Sequence, residues 1–254
     1  MPAEAPALLL AVPGSASPAS DQTAAEIAAC AGGSCPGVDV AFGYLEGSEN
    51  LLSELLSGLR SQDGRPPAVV VPLLTCPYPE IDEQVAAAVA AADVPILVGG
   101  HLGPHPFLAE AVHARLSEAG LARAGRSGRI SIVTAADGVV VGGIGDPDEA
   151  LQAAGVIAVL LASRLTIPAV PAPVNDLTAL RNAAEQLQAA QVTRVALAPC
   201  VIGPEVPPGA MAAITAKTGL ECAPPLGGYP TIGHLVAMRY GAALEDPQMA
   251  DVSG

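Results

Sequence analysis

Short apolar runs alternate with longer Ala-rich helical stretches along the whole chain. The runs lie at 8–12, 38–42, 68–74, 96–98, 130–133, 167–170 and 195–198, with a weak one near Cys222. Between them fall helical patterns at 23–31, 49–60, 83–92, 106–119, 149–164, 177–189, 210–218 and 231–243. A strand followed by a helix, repeated without a hairpin signal, calls for parallel strands joined by crossover helices and covered on both faces. The order also repeats internally. LGPHP at 102–106 matches LGGYP at 226–230, and LLLAVPG at 8–14 matches IVTAADG at 132–138, both at an offset of 124 residues. Arg115 falls on Arg239 at the same offset. The expected fold is therefore α/β, with two tandem similar halves, each a four-stranded parallel sheet flanked by helices. The halves are read as 1–124 and 129–246, with a Gly- and Ser-containing joint at 124–128.

Charge narrows the range of partners. The formal net charge is −14, and the eleven Lys and Arg residues are scattered rather than clustered. No basic run or aromatic platform serves nucleic acid, whereas an acidic surface attracts cations. The apolar run 7–12 is too short for a signal-peptide core, and nothing approaches the ~18 apolar residues of a membrane span. These features give the expectation of a soluble cytoplasmic protein with no membrane partner. Of the five cysteines, none forms a CxxC pair, so they read as small apolar residues of a reducing compartment.

In parallel sheets, chemistry gathers beyond the carboxyl ends of the strands, and two halves facing each other there would form a cleft. The segments to inspect are 13–15, 44–46, 75–82 and 99–105 in the first half. In the second half they are 135–138, 171–176, 200–205 and 226–229. The glycines at 99–103 and 142–145 do not form GxGxxG, and GGIGDP at 142–147 reads as a turn. Ser15 lacks a nucleophile elbow, and nothing near Cys200 in sequence would activate its thiol.

Several of these segments together resemble the CbiX/SirB family of sirohydrochlorin chelatases in its long tandem form. They are LLLAVPGSASP, VDVAFGYLE, VVVPLLTCPYPEIDEQVAAAV and LGPHPFLAEAVHARL in the first half, with RVALAPCVIGP and APPLGGYPTIGHLVAMRYGAAL in the second. The resemblance implies two similar α/β halves and insertion of Co²⁺, Fe²⁺ or Ni²⁺ into a tetrapyrrole of the cobalamin or sirohaem pathways. Metal and tetrapyrrole are then substrates, and no organic cofactor is implied. In this family one metal histidine follows the first strand and another lies in a turn after the third. Here those positions read Pro13 and Glu80. Proline offers no side-chain lone pair. A carboxylate can bind a divalent metal and accept a proton, although it is harder than imidazole.

Glu80 is accordingly the candidate catalytic residue. Glu80, His101 and His105 are the candidate metal ligands, and Ser15 and Tyr78 the candidate substrate-binding residues. His101 has Pro225 as its repeat counterpart and so no shared structural role, while His105 has Tyr229, a ring equally suited to packing. The loss of both histidines keeps a second reading open: a non-catalytic homologue that binds a tetrapyrrole or metal, or partners an active paralogue. A two-lobed periplasmic-type binding protein is a third, weakened by the absence of a signal-peptide pattern. No oligomeric state is implied.

Overall fold

The computed structural model describes residues 5–61, 65–122 and 136–245. The elements run β1 (Ala7–Val12), α1 (Pro18–Ser34), β2 (Val40–Tyr44), α2 (Leu52–Ser57), β3 (Ala68–Pro72), α3 (Pro79–Ala90), β4 (Leu97–Val98) and α4 (Pro106–Glu118). They continue as β5 (Gly138–Gly143), α5 (Pro147–Leu165), β6 (Ala169–Pro173), α6 (Leu177–Ala189), β7 (Val195–Pro199), α7 (Ala210–Thr218), β8 (Glu221–Cys222) and α8 (Pro230–Glu245). Among the described residues all strand pairings are parallel and build two four-stranded sheets, ordered β2-β1-β3-β4 and β6-β5-β7-β8. The expected fold class stands. In each sheet the order reverses beside its first strand, which opens a crevice at the carboxyl ends of β1 and β3, and likewise of β5 and β7.

Local signals start the helices where they are needed. Pro18 opens α1 behind the N-cap Ser17, whose hydroxyl accepts from the Ser20 N–H at 3.2 Å. Asp146 caps α5 ahead of Pro147, and Asp176 caps α6, each carboxylate taking two backbone N–H groups. Proline at the first helical position loses no hydrogen bond, and a capping oxygen satisfies amides that the helix leaves orphaned. One face of the first sheet packs Leu9, Ala11, Ala68 and Val70 against Leu52, Leu56, Val85 and Ile96.

Two sequence expectations need correction. The strand expected at 130–133 and the joint at 124–128 lie outside the described residues. The first strand of the second sheet is Gly138–Gly143, part of which had read as a turn. Leu8 pairs with Val40 and Val69 as Val139 pairs with Ala169 and Ala196, so the repeat offset at this end is 131 (139 minus 8). The match of 8–14 to 132–138 is therefore out of register. The glycines mislead because their reason is tertiary: a Cβ on Gly143 would stand 2.6 Å from the Ala150 carbonyl oxygen of α5. Segment 135–138 accordingly leads into a strand, and the loop beyond its carboxyl end is 144–146.

The second correction concerns how the halves share their helices. The compact units are Met1–Leu74, Tyr78–Leu102 and Gly228–Gly254 on one side, and Thr75–Pro77 with Gly103–Gly227 on the other. Helix α8, the last of the chain, packs on α1, β3 and β4, whereas α4 packs on α5 and β7. The compact units thus do not follow the linear order of the chain: α4 clusters with the later elements and α8 with the earlier ones. The physical cause is burial: Ile232, Leu235 and Val236 of α8 are at most 1 % exposed on the first unit. No described helix is long and apolar enough to cross a membrane.

Candidate functional site

Short turns follow the carboxyl ends of the first sheet's strands, where a parallel sheet places its crevice. Chain exit from β1 passes through buried Pro13, left-handed Gly14 (φ 72°) and exposed Ser15. The loop after β2 is tied to it, since the Glu46 N–H donates to the Gly14 carbonyl at 3.0 Å. Glu46 in turn accepts from Gln84 Nε2 of α3 at 3.0 Å. Tyr78 is the N-cap residue of α3, and Glu80 stands exposed in the first turn. The helix dipole favours an anion there. Asp82, one residue pair further along, has both oxygens engaged. Oδ2 accepts from the Tyr78 N–H at 3.0 Å, and Oδ1 lies 2.8 Å from His101 Nε2. His101 follows β4, so this pair links the third and fourth strand-to-helix loops of the first sheet. Its side chains are 25 % and 34 % exposed.

The second unit's crevice is filled by its own chain. Segment Thr75–Pro77 lies across the ends of β5 and β7. Thr75 Oγ1 donates to the Cys200 carbonyl at 2.8 Å, Cys76 Sγ to the Ile144 carbonyl at 2.7 Å, and the Asp146 N–H to the Pro77 carbonyl at 3.1 Å. Gly145 has no room for a Cβ beneath the Pro77 carbonyl and holds a φ of 130°. Behind β7, Glu205 is only 6 % exposed and accepts from the Ile202 and Gly203 N–H groups. Burial pushes its carboxyl up to about 7, with the backbone N–H bonds pulling the other way. Burial also raises the Cys200 thiol, with the neighbouring Cys76 and Glu205 adding to it, which agrees with a structural cysteine.

Residues 7–119 match the CbiX family model. Over that stretch the chain is similar to the CbiX family. Two solved structures are similar over nearly the whole chain. One is the sirohydrochlorin chelatase SirB from Bacillus subtilis subspecies spizizenii in complex with cobalt, 18% identical with a TM-score of 0.67, covering 96% of this chain and 97% of that one. The other is SirB from Bacillus subtilis with Fe³⁺, 18% identical with a TM-score of 0.64, covering 96% and 98%. At that identity the likeness to SirB is one of fold, and it spans both sheets. No curated protein sequence matches the chain significantly.

Against the CbiX pattern, the candidate residues separate. Ser15, Tyr78, Glu80 and His101 all belong to the first unit and lie in segments that follow its strands. His105 belongs to the second unit and caps α4: its Nδ1 accepts from the Phe107 N–H at 3.1 Å, and its ring meets that of Phe107 edge-on at 4.9 Å. Among the described residues no three His, Cys, Asp or Glu side chains converge to hold a metal ion. Glu80, His101 and His105 therefore do not form a preformed ligand set. In the sequence Asp82 is only the last residue of segment 75–82. Its partner lies 19 residues away on another loop, and no local pattern announces such a pair.

Proposed function

We propose that this chain is a tetrapyrrole chelatase-type protein whose site is the crevice of its first unit, with a divalent metal ion and a tetrapyrrole as substrates. The observation that carries the reading is the CbiX-family match over residues 7–119 within a SirB-like fold; exposed Glu80, in the first turn of α3, is our candidate for a position where the resemblance implies a metal histidine. Insertion of M²⁺ into a neutral tetrapyrrole releases two protons, so the site needs a weakly held metal and a proton acceptor. Glu80 suits both roles, since a carboxylate at a helix N-terminus accepts a proton or lends an oxygen to the ion. His101 supplies a nitrogen ligand, and Ser15 and Tyr78 offer hydroxyl groups to the substrate's carboxylates. The acidic chain gives no support to nucleic-acid binding, and its composition suits the cytoplasm.

A second reading, a non-catalytic tetrapyrrole or metal binder, draws on one observation: among the described residues no three-ligand group is preformed, while buried Pro13 stands where the resemblance implies a metal histidine. Incubation with sirohydrochlorin and Co²⁺, Fe²⁺ or Ni²⁺, followed by the absorbance change on metal insertion, separates the two. A rate above the metal-only background supports the chelatase. Saturable binding of sirohydrochlorin with no insertion by any of the three metals selects the binder.

A further inference from the structure

We propose that Asp82 is a positioning residue that holds His101 in its Nε2–H tautomer, so that His101 presents Nδ1 as the lone pair available to a divalent metal ion. This deepens the chelatase-type reading of the first-unit crevice and rests on it for the identity of the natural metal. The geometry runs from backbone to carboxylate to imidazole. The Tyr78 N–H at the start of α3 donates to Asp82 Oδ2 at 3.0 Å, which orients the carboxylate. The other oxygen, Oδ1, then faces His101 Nε2 at 2.8 Å. A carboxylate only accepts, so the neutral imidazole must place its hydrogen on Nε2. That leaves Nδ1 without a hydrogen. Among the described residues Nδ1 has no hydrogen-bond partner, and it is not one of the buried unsatisfied atoms. Histidines that hold metals commonly donate their second nitrogen to a carboxylate, which fixes ring and tautomer and strengthens the ligand.

The arrangement makes a sharp claim about Asp82→Asn. The Tyr78 N–H requires an acceptor, so the amide turns its oxygen towards α3 and its NH₂ towards His101. His101 Nε2 must then accept, which moves the imidazole hydrogen onto Nδ1 and removes the lone pair offered to metal. The shape is kept and the tautomer is inverted. Asp82→Ala instead leaves the ring without instruction and populates both tautomers.

The test uses the full chain with ¹⁵N-labelled histidine and long-range ¹H–¹⁵N spectra at alkaline pH, where imidazoles are neutral. Zn²⁺ is the diamagnetic probe. The wild type should show His101 as Nε2–H, with Zn²⁺ shifting its Nδ1 resonance. Asp82→Asn should show Nδ1–H with unchanged circular dichroism and bind Zn²⁺ at least ~10-fold more weakly, the usual scale for loss of an outer partner. His101→Ala should lose a similar or larger factor, and the double variant no more than His101→Ala. The inference is overturned if wild-type His101 is the Nδ1–H tautomer, or if Zn²⁺ leaves its Nδ1 unmoved. The tautomer reading needs only the wild type, so it stands even if a variant fails to fold. Zn²⁺ on Nδ1 without any metal insertion into sirohydrochlorin would sink the chelatase reading alone. Insertion undiminished in both Asp82→Asn and His101→Ala would sink the positioning role alone.

Discussion

Glu205 should make the protein less stable as pH rises through neutrality. Its carboxyl is almost fully buried behind β7, and burial lifts it from an ordinary 4.5 to about 7. At roughly 1.4 kcal/mol per factor of ten, that displacement corresponds to about 3 kcal/mol. The sign follows from proton counting. Between about pH 4.5 and 7 the folded chain keeps the proton and the unfolded chain releases it, so the folded state binds more protons and stability falls with pH. The contribution is fully present below the unfolded value and is lost by the time pH passes about 7. The perturbation is Glu205→Gln, which cannot ionise. Its amide offers one acceptor to two N–H donors, Ile202 and Gly203, so the variant starts about 1–3 kcal/mol less stable at the acidic end of the range. Urea unfolding followed by circular dichroism, from pH 4.5 to 8, measures both proteins. The wild type's advantage should shrink by about 3 kcal/mol over that range. Asp137, held low by Thr193 and then by the Arg194 backbone, pulls the opposite way but is common to both proteins and cancels. Parallel stability curves for the two proteins would refute the reasoning, because they would mean that Glu205 stays ionised within its backbone cradle.

On the proposed chelatase-type function, Pro13→His with Glu80→His, at the two positions where the resemblance implies metal histidines, should raise metal insertion into sirohydrochlorin above the parent. A variant that folds and binds metal yet inserts none would place the difference in the tetrapyrrole pocket instead. Calorimetry with Co²⁺ should give binding no tighter than about micromolar, since no three-ligand group is preformed among the described residues, and part of it should vanish with added salt. Nanomolar, salt-insensitive binding would reveal ligands that assemble only around the ion. Gly143→Ala should lower stability by about 1–3 kcal/mol, because its Cβ would meet the backbone of α5. Thermal melting at a single pH checks this, and an unchanged midpoint would show that α5 can move away without cost.

Much of the scaffold was legible because periodicity and punctuation are local. Helices α6 and α7 end at the same residues in the pattern and in the structure, where Asp176 caps one and Gly209 and Gly219 flank the other. The site was legible only as separate loops. Pro13, Ser15, Tyr78 and Glu80 could be placed after strands by counting, but the sequence does not say that His101 reaches Asp82. His105 looked like a ligand by type, and only the observed backbone shows its Nδ1 taking the Phe107 N–H.

The amino-acid order by itself determined that this chain is parallel α/β and repeated. Those properties depend on which residue follows which. Tertiary structure decided the rest. It clustered α4 with the later elements and α8 with the earlier ones, because apolar stripes such as Ile232, Leu235 and Val236 select whichever surface buries them best. It moved the repeat offset at β5 from 124 to 131, since glycines that suggest a turn can equally mark a strand packed tightly under a helix. It also closed the second crevice with Thr75–Pro77 while leaving Ser15 and Glu80 of the first exposed. Hydrogen bonds between residues far apart in sequence carry no local signature, so both the dyad and the plug become visible only when the strands are side by side.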